Sequence, residues 1–153
     1  MQNGYTSSDC AARGQYWLRK ATAELYKPTS DMFVGDEDNG EMSAWYVLST
    51  MGLYQLSPGS EDFVLGSPRF AKLTVDISDI ATAGTSSTST SISNSAVSKT
   101  LTIVANNQSP DNVFVQAVYF NDVLLDASTN TIPYKTLMTG GTLTFDMGPE
   151  PVA

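Results

Sequence analysis

The stretch from Met42 to Met51 constrains the chain most. Wound into a helix, Met42, Ala44, Trp45, Tyr46, Val47, Leu48 and Met51 leave almost no polar face. A helix that is apolar nearly all round is normally buried on most sides. Two helices cannot bury it alone, so the stretch calls for a larger body. It is entered through Gly35-Asp36-Glu37-Asp38-Asn39-Gly40-Glu41, which holds four acids in the six residues from Asp36 to Glu41. Like charges at this spacing repel one another. A solvated loop can tolerate that, and an active site can use it.

One earlier stretch reads as a partner helix. From about Cys10 to Tyr26, Trp17, Ala21 and Leu25 recur every fourth residue with Leu18 beside them, leaving Arg13, Lys20 and Glu24 to face water. Ser8 or Asp9 can cap its start. Lys27-Pro28 ends it, because the residue before proline is pushed out of helical geometry. The second helix spans about Gly40 to Met51, with Asp38 or Asn39 as the expected N-cap and the acids at the favourable end of its dipole.

After the turn cluster Ser57-Pro58-Gly59-Ser60 the period changes from helical to alternating. Phe63-Val64-Leu65 is a short apolar run, and Leu73, Val75 and Ile77 alternate with Lys72, Thr74 and Asp76. Strand signals resume at Leu101–Ala105 and Val113–Phe120, and Asn121-Asp122 can turn a hairpin into Val123-Leu124-Leu125. Gly140-Gly141 opens a last strand with Leu143, Phe145 and Met147 on one face. This predicts an α+β fold: a helix pair within 1–56, then an antiparallel, sandwich-like β unit within 57–153. The Ser/Thr-rich stretch at 83–98 lacks the apolar area to offset its ordering entropy and reads as a mobile loop.

Composition removes several function classes. The formal charge is −8 with no basic stripe, which argues against nucleic acid and against an anionic membrane surface. No apolar run reaches membrane-spanning length. There is no histidine, so a Ser-His-Asp or Cys-His engine and a His-containing zinc site are excluded within this chain. Acid–base chemistry must run on carboxylates. Cys10 has no partner for an internal disulfide and reads as inert.

The acidic loop admits three readings. It can be a solvated, helix-capping turn. It can be a calcium loop, since Asp36-x-Asp38-x-Gly40 resembles the opening of an EF-hand. That reading fails on two counts: the glycine is one position early, and the twelfth position is Val47 rather than Glu. Or it can serve glycoside hydrolysis, which needs one carboxylic acid on the leaving oxygen and a second carboxylate to activate water or attack carbon. Trp45 and Tyr46 are either core residues or a platform for a sugar ring.

The run Gly35-Asp36-Glu37-Asp38-Asn39-Gly40-Glu41-Met42-Ser43-Ala44-Trp45-Tyr46-Val47 resembles the signature of glycoside hydrolase family 92, the α-mannosidases. Further segments are similar to that family in the same order: Gln15–Lys20, Met51-Gly52-Leu53-Tyr54, Ser57–Ser60, Val64–Phe70 and Met138–Gly148. The resemblance implies a calcium-dependent, inverting exo-enzyme that removes α-linked mannose from N-glycan or mannan-type partners. It implies that this chain is the C-terminal part of a longer parent, carrying the last helices of an α/α barrel and terminal β strands. Asp38 matches the family's general base, and Asp36 its partner on the attacking water. Glu37 matches a neighbouring substrate-binding position. The family's general acid is an upstream Glu without a counterpart here, and no calcium ligand can be placed on this chain. The chain alone is therefore expected to be inactive. The resemblance also points to a secreted or periplasmic parent, although Met1–Tyr5 carries no leader pattern and reads as an internal stretch. A different class of reading is a noncatalytic carbohydrate-binding or structural β module, with the helices as packing.

Overall fold

The computed structural model describes residues 7–30, 32–78 and 99–152; the Ser/Thr-rich stretch expected to be a loop lies outside them. Two helices come first, α1 at Ser7–Glu24 and α2 at Glu41–Met51. Among the described residues eight strands follow: β1 Leu53–Tyr54, β2 Asp62–Leu65, β3 Lys72–Asp76, β4 Thr100–Asn106, β5 Phe114–Phe120, β6 Val123–Leu124, β7 Thr131–Pro133 and β8 Gly141–Gly148. A single-turn helix, α3, occupies Tyr134–Leu137. The fold is α+β, and the two helices close no barrel.

The strands form two sheets, β1-β2-β7 and β3-β4-β8-β5-β6. One core joins them. Leu53, Leu65 and Ile132 of the small sheet meet Ile103, Val118, Leu143, Phe145 and Met147 of the large one. Alternation explains the large sheet: Leu101, Ile103 and Ala105 of β4 lie in register with Gly141, Leu143 and Phe145 of β8. That pairing is parallel, so the sheet is mixed rather than the antiparallel unit that the strand pattern predicts. Strands this far apart in sequence need no hairpin, and the parallel register still puts both apolar sets on one face. In β5 a bulge at Gln116, between Val115 and Ala117, lets both Val115 and Val118 face the core although they are three residues apart.

The helices contradict one expectation. The stripe of α1 that packs here is Gln15, Arg19 and Thr22, all buried, while Trp17 is 58% and Leu25 46% exposed. The expected apolar face of α1 is therefore split: Leu18 and Ala21 are half-buried, with Leu18 against Gly66, while Trp17 and Leu25 point outward. On α2 the buried residues are Ser49 and Thr50, and Val47 is 55% exposed. Most of these polar groups are paired, although the buried Ser49 hydroxyl has no partner among the described residues. Gln15 Oε1 accepts the Val115 N–H at 3.0 Å, and the Thr50 hydroxyl donates to the Val47 carbonyl at 3.0 Å.

Candidate active site

The acidic loop lies between α1 and α2, and its geometry follows from how α2 begins. Gly40 precedes the helix at φ 72°, ψ 16°, a left-handed conformation that suits glycine, and it offers no side chain as a cap. Neither Asp38 nor Asn39 caps α2, contrary to expectation. Glu37 does so from further back. Its carboxylate accepts the Met42 N–H at 2.9 Å and the Ser43 N–H at 3.1 and 3.2 Å, and it also accepts the Ser43 hydroxyl. A carboxylate with both oxygens on the first turn satisfies orphan donors and sits at the positive end of the dipole. The backbone reaches Glu37 because the chain turns at this point, where the Gly40 N–H donates to the Glu37 carbonyl at 2.9 Å.

The other two acids remain outward. Asp36 Oδ1 accepts the Asp38 N–H at 2.9 Å, an Asx turn that fixes the backbone between them. Both side chains are exposed, whereas Glu37 is half-buried. Asp36 and Asp38 thus share one rigid turn, and the intervening Glu37 belongs to the helix. The oxygens of Glu37 are already engaged at the start of α2.

An aromatic cluster backs the loop. Tyr26 stacks on Trp45 at 5.4 Å between centroids and on Tyr46 at 4.9 Å, with interplanar angles of 23° and 26°. Phe33 meets Tyr26 edge-on at 6.5 Å. Trp45 and Tyr46 are thus half-buried ring-packing residues here. Burial, and secondarily the negative charge of Glu37, raise the pKa of the Tyr26 phenol. Sequence reasoning missed Tyr26 and Phe33. The only signal was an aromatic at the end of a helix, and the rings it stacks on, Trp45 and Tyr46, are about twenty residues away in the chain.

The loop does not fit a metal centre. Among the described residues no group of three or more His, Cys, Asp or Glu side chains could hold an ion. The acids of the loop are divided between the turn and the helix cap, and they do not converge on one point as calcium ligands must.

Residues 3–149 match the family model described as the glycosyl hydrolase family 92 catalytic domain. Among solved structures, the chain is similar to the family GH92 α-mannosidase BT3965 of Bacteroides thetaiotaomicron. That match has a TM-score of 0.76 and 28% identity, over 94% of this chain and 17% of that one. The same α-mannosidase in complex with mannoimidazole matches at TM-score 0.70 and 28% identity, over 90% of this chain and 16% of that one. The family GH92 inverting mannosidase BT2199 of B. thetaiotaomicron VPI-5482 matches at TM-score 0.71 and 29% identity, over 92% and 16% respectively. No curated protein matches. The chain thus spans about one sixth of the length of these solved relatives. With nearly all of its length matched by the family model and by these folds, the chain belongs to glycosyl hydrolase family 92.

Proposed function

We propose that this chain is the C-terminal part of an inverting exo-α-mannosidase and supplies the water-activating half of its active site. The observation that carries the proposal is the Asp36–Asp38 turn, held rigid by the Asx bond and by Glu37 on α2, with both outer carboxylates free of helix capping. Asp38 acts as general base: it takes a proton from water as that water attacks the anomeric carbon. Asp36 accepts the water's second proton in a hydrogen bond and so orients it. Glu37 fixes the turn and adds negative charge beside the substrate. In an inverting pair the two carboxyl groups stand roughly 6.5–9.5 Å apart, leaving room for the water. The acid can then come from a distant segment of the parent, where it protonates the leaving oxygen.

The substrate class is α-linked mannose, on the strength of family membership and of relatives described as α-mannosidases. Calcium dependence rests on the family resemblance alone, and on this reading its ligands lie outside the acidic loop.

The test is Asp38→Ala in the longer parent. A positioned general base contributes about 10²–10⁴-fold, so kcat on a mannoside should fall by that factor. Turnover that stays within a few-fold of the parent would remove Asp38 from this role.

A further inference from the structure

Two arginines meet beside α1 without a carboxylate partner among the described residues. Arg19 is only 8% exposed, and its guanidinium donates to the carbonyl oxygens of Pro68 at 2.6 Å and Ser109 at 2.7 Å. Arg69 donates to the carbonyl of Thr22, three residues further along α1. Both line one cavity of about 480 Å³ that α1 forms with Gln108, Pro110 and Val113. Carbonyl groups satisfy N–H donors but carry no net charge, and each guanidinium has five donors to place.

The neighbouring charges do not neutralise the pair. Lys20 and Glu24 also line the cavity, but they bridge each other at 3.1 Å. Burial, and after it the like charge of Arg69, lower the pKa of Arg19, which marks the cost of holding both cations there. The chain has 16 acidic and 8 basic residues, so this gap is not for want of carboxylates. An oxyanion in the cavity would offset the charge of both guanidinium groups: among the described residues Arg19 already spends Nη1 and Nη2 on carbonyls, whereas Arg69 spends only Nη1 on one and keeps donors to offer.

We propose that this cavity is an oxyanion-binding site, in which Arg19 and Arg69 together take a carboxylate or a phosphate and the Gln108 amide adds a donor. The site belongs to the packing of α1 and does not depend on the reaction assigned to the acidic loop.

The experiment uses the 153-residue chain, with inorganic phosphate and acetate titrated separately at constant ionic strength while the unfolding temperature is followed. A ligand that binds only the folded state stabilises it as RT ln(1 + [L]/Kd). A saturable rise of about 2–5 °C is expected at ~10 mM, where general salt effects stay small. A rise with acetate, with or without one for phosphate, identifies a carboxylate site, and a rise with phosphate alone a phosphate site. Gln108→Glu places a carboxylate beside the pair. It should raise the melting temperature without added anion and abolish the response to both probes. Arg69→Gln should abolish the response as well. No saturable rise in the unsubstituted chain overturns the proposal, as does an undiminished rise in Gln108→Glu. The Gln108→Glu result decides even if Arg69→Gln fails to fold.

Discussion

Glu37 and Tyr26 show how single residues near the acidic loop carry different loads. Glu37 has both oxygens on the first turn of α2, the role a cap residue ordinarily plays. Glu37→Ala should therefore destabilise the chain by about 0.5–2 kcal/mol, visible as a lower urea midpoint with an unchanged slope. An unchanged midpoint would mean that the cap contributes nothing. Tyr26 makes a prediction about pH. Its pKa in the folded state lies above the ordinary 10.0, so the folded state favours the neutral phenol. That stabilisation is fully present below the unfolded value and is lost as pH rises through the raised one. Tyr26→Phe should flatten the alkaline limb of the stability curve. If the limb is equally steep in the variant, Tyr26 is not its source. The candidate carboxylates were legible in the chain as a run of acids, and their differing roles were not. Capping depends on where the backbone turns, and Gly40 makes that turn in a left-handed conformation.

At the scale of elements, strand alternation was a dependable guide and helix faces were not. Alternation puts Leu143, Phe145 and Met147 on one face of the last strand, and they are buried there. The Asn121-Asp122 hairpin also forms, with φ of 48° and 65° at the two residues. Its tip is locked to β8, because Asn121 Oδ1 accepts the Thr142 N–H at 2.8 Å. A Cβ on Gly141, at φ 128°, would meet that Asn121 carboxamide. Gly141→Ala should thus cost about 1–3 kcal/mol through backbone strain and the displaced hydrogen bond. Thermal unfolding measures this, and a loss below a few tenths of a kcal/mol would show that the corner adapts. The short strands β1 and β7 escaped sequence reading, since two or three residues cannot display a period. In α1 the apolar stripe is only half used: Leu18 and Ala21 are half-buried, Trp17 and Leu25 are exposed, and the fully buried positions are polar. Gln15, Arg19 and Thr22 are buried, and the first two reach backbone groups that only the folded loops and sheet supply.

At the scale of the whole molecule, the outward apolar residues are the consequence to test. Trp17, Leu25, Val34, Val47 and Leu56 are all exposed although a soluble surface has little use for them together. The solved relatives are about six times longer, and on the proposed function the acid comes from outside this chain. The purified 153-residue chain should accordingly show no mannoside hydrolysis above background. Measurable turnover by this chain alone would overturn the two-segment view of the active site.

From residues alone came the family, the α+β class, most strands, and the pair Asp36 and Asp38 as candidate catalytic groups. These depend on local order: a two-residue period for the strands, and for the family an ordered set of motifs, whose resemblance is what singled out Asp36 and Asp38. The tertiary structure decided the parallel pairing of β4 with β8, the capping role of Glu37, the stacking on Tyr26 and the burial of Arg19. The Glu37 cap is local but turns on the left-handed Gly40; the others join groups far apart in the chain, and no local pattern encodes which distant backbone carbonyl, ring or strand a side chain will meet.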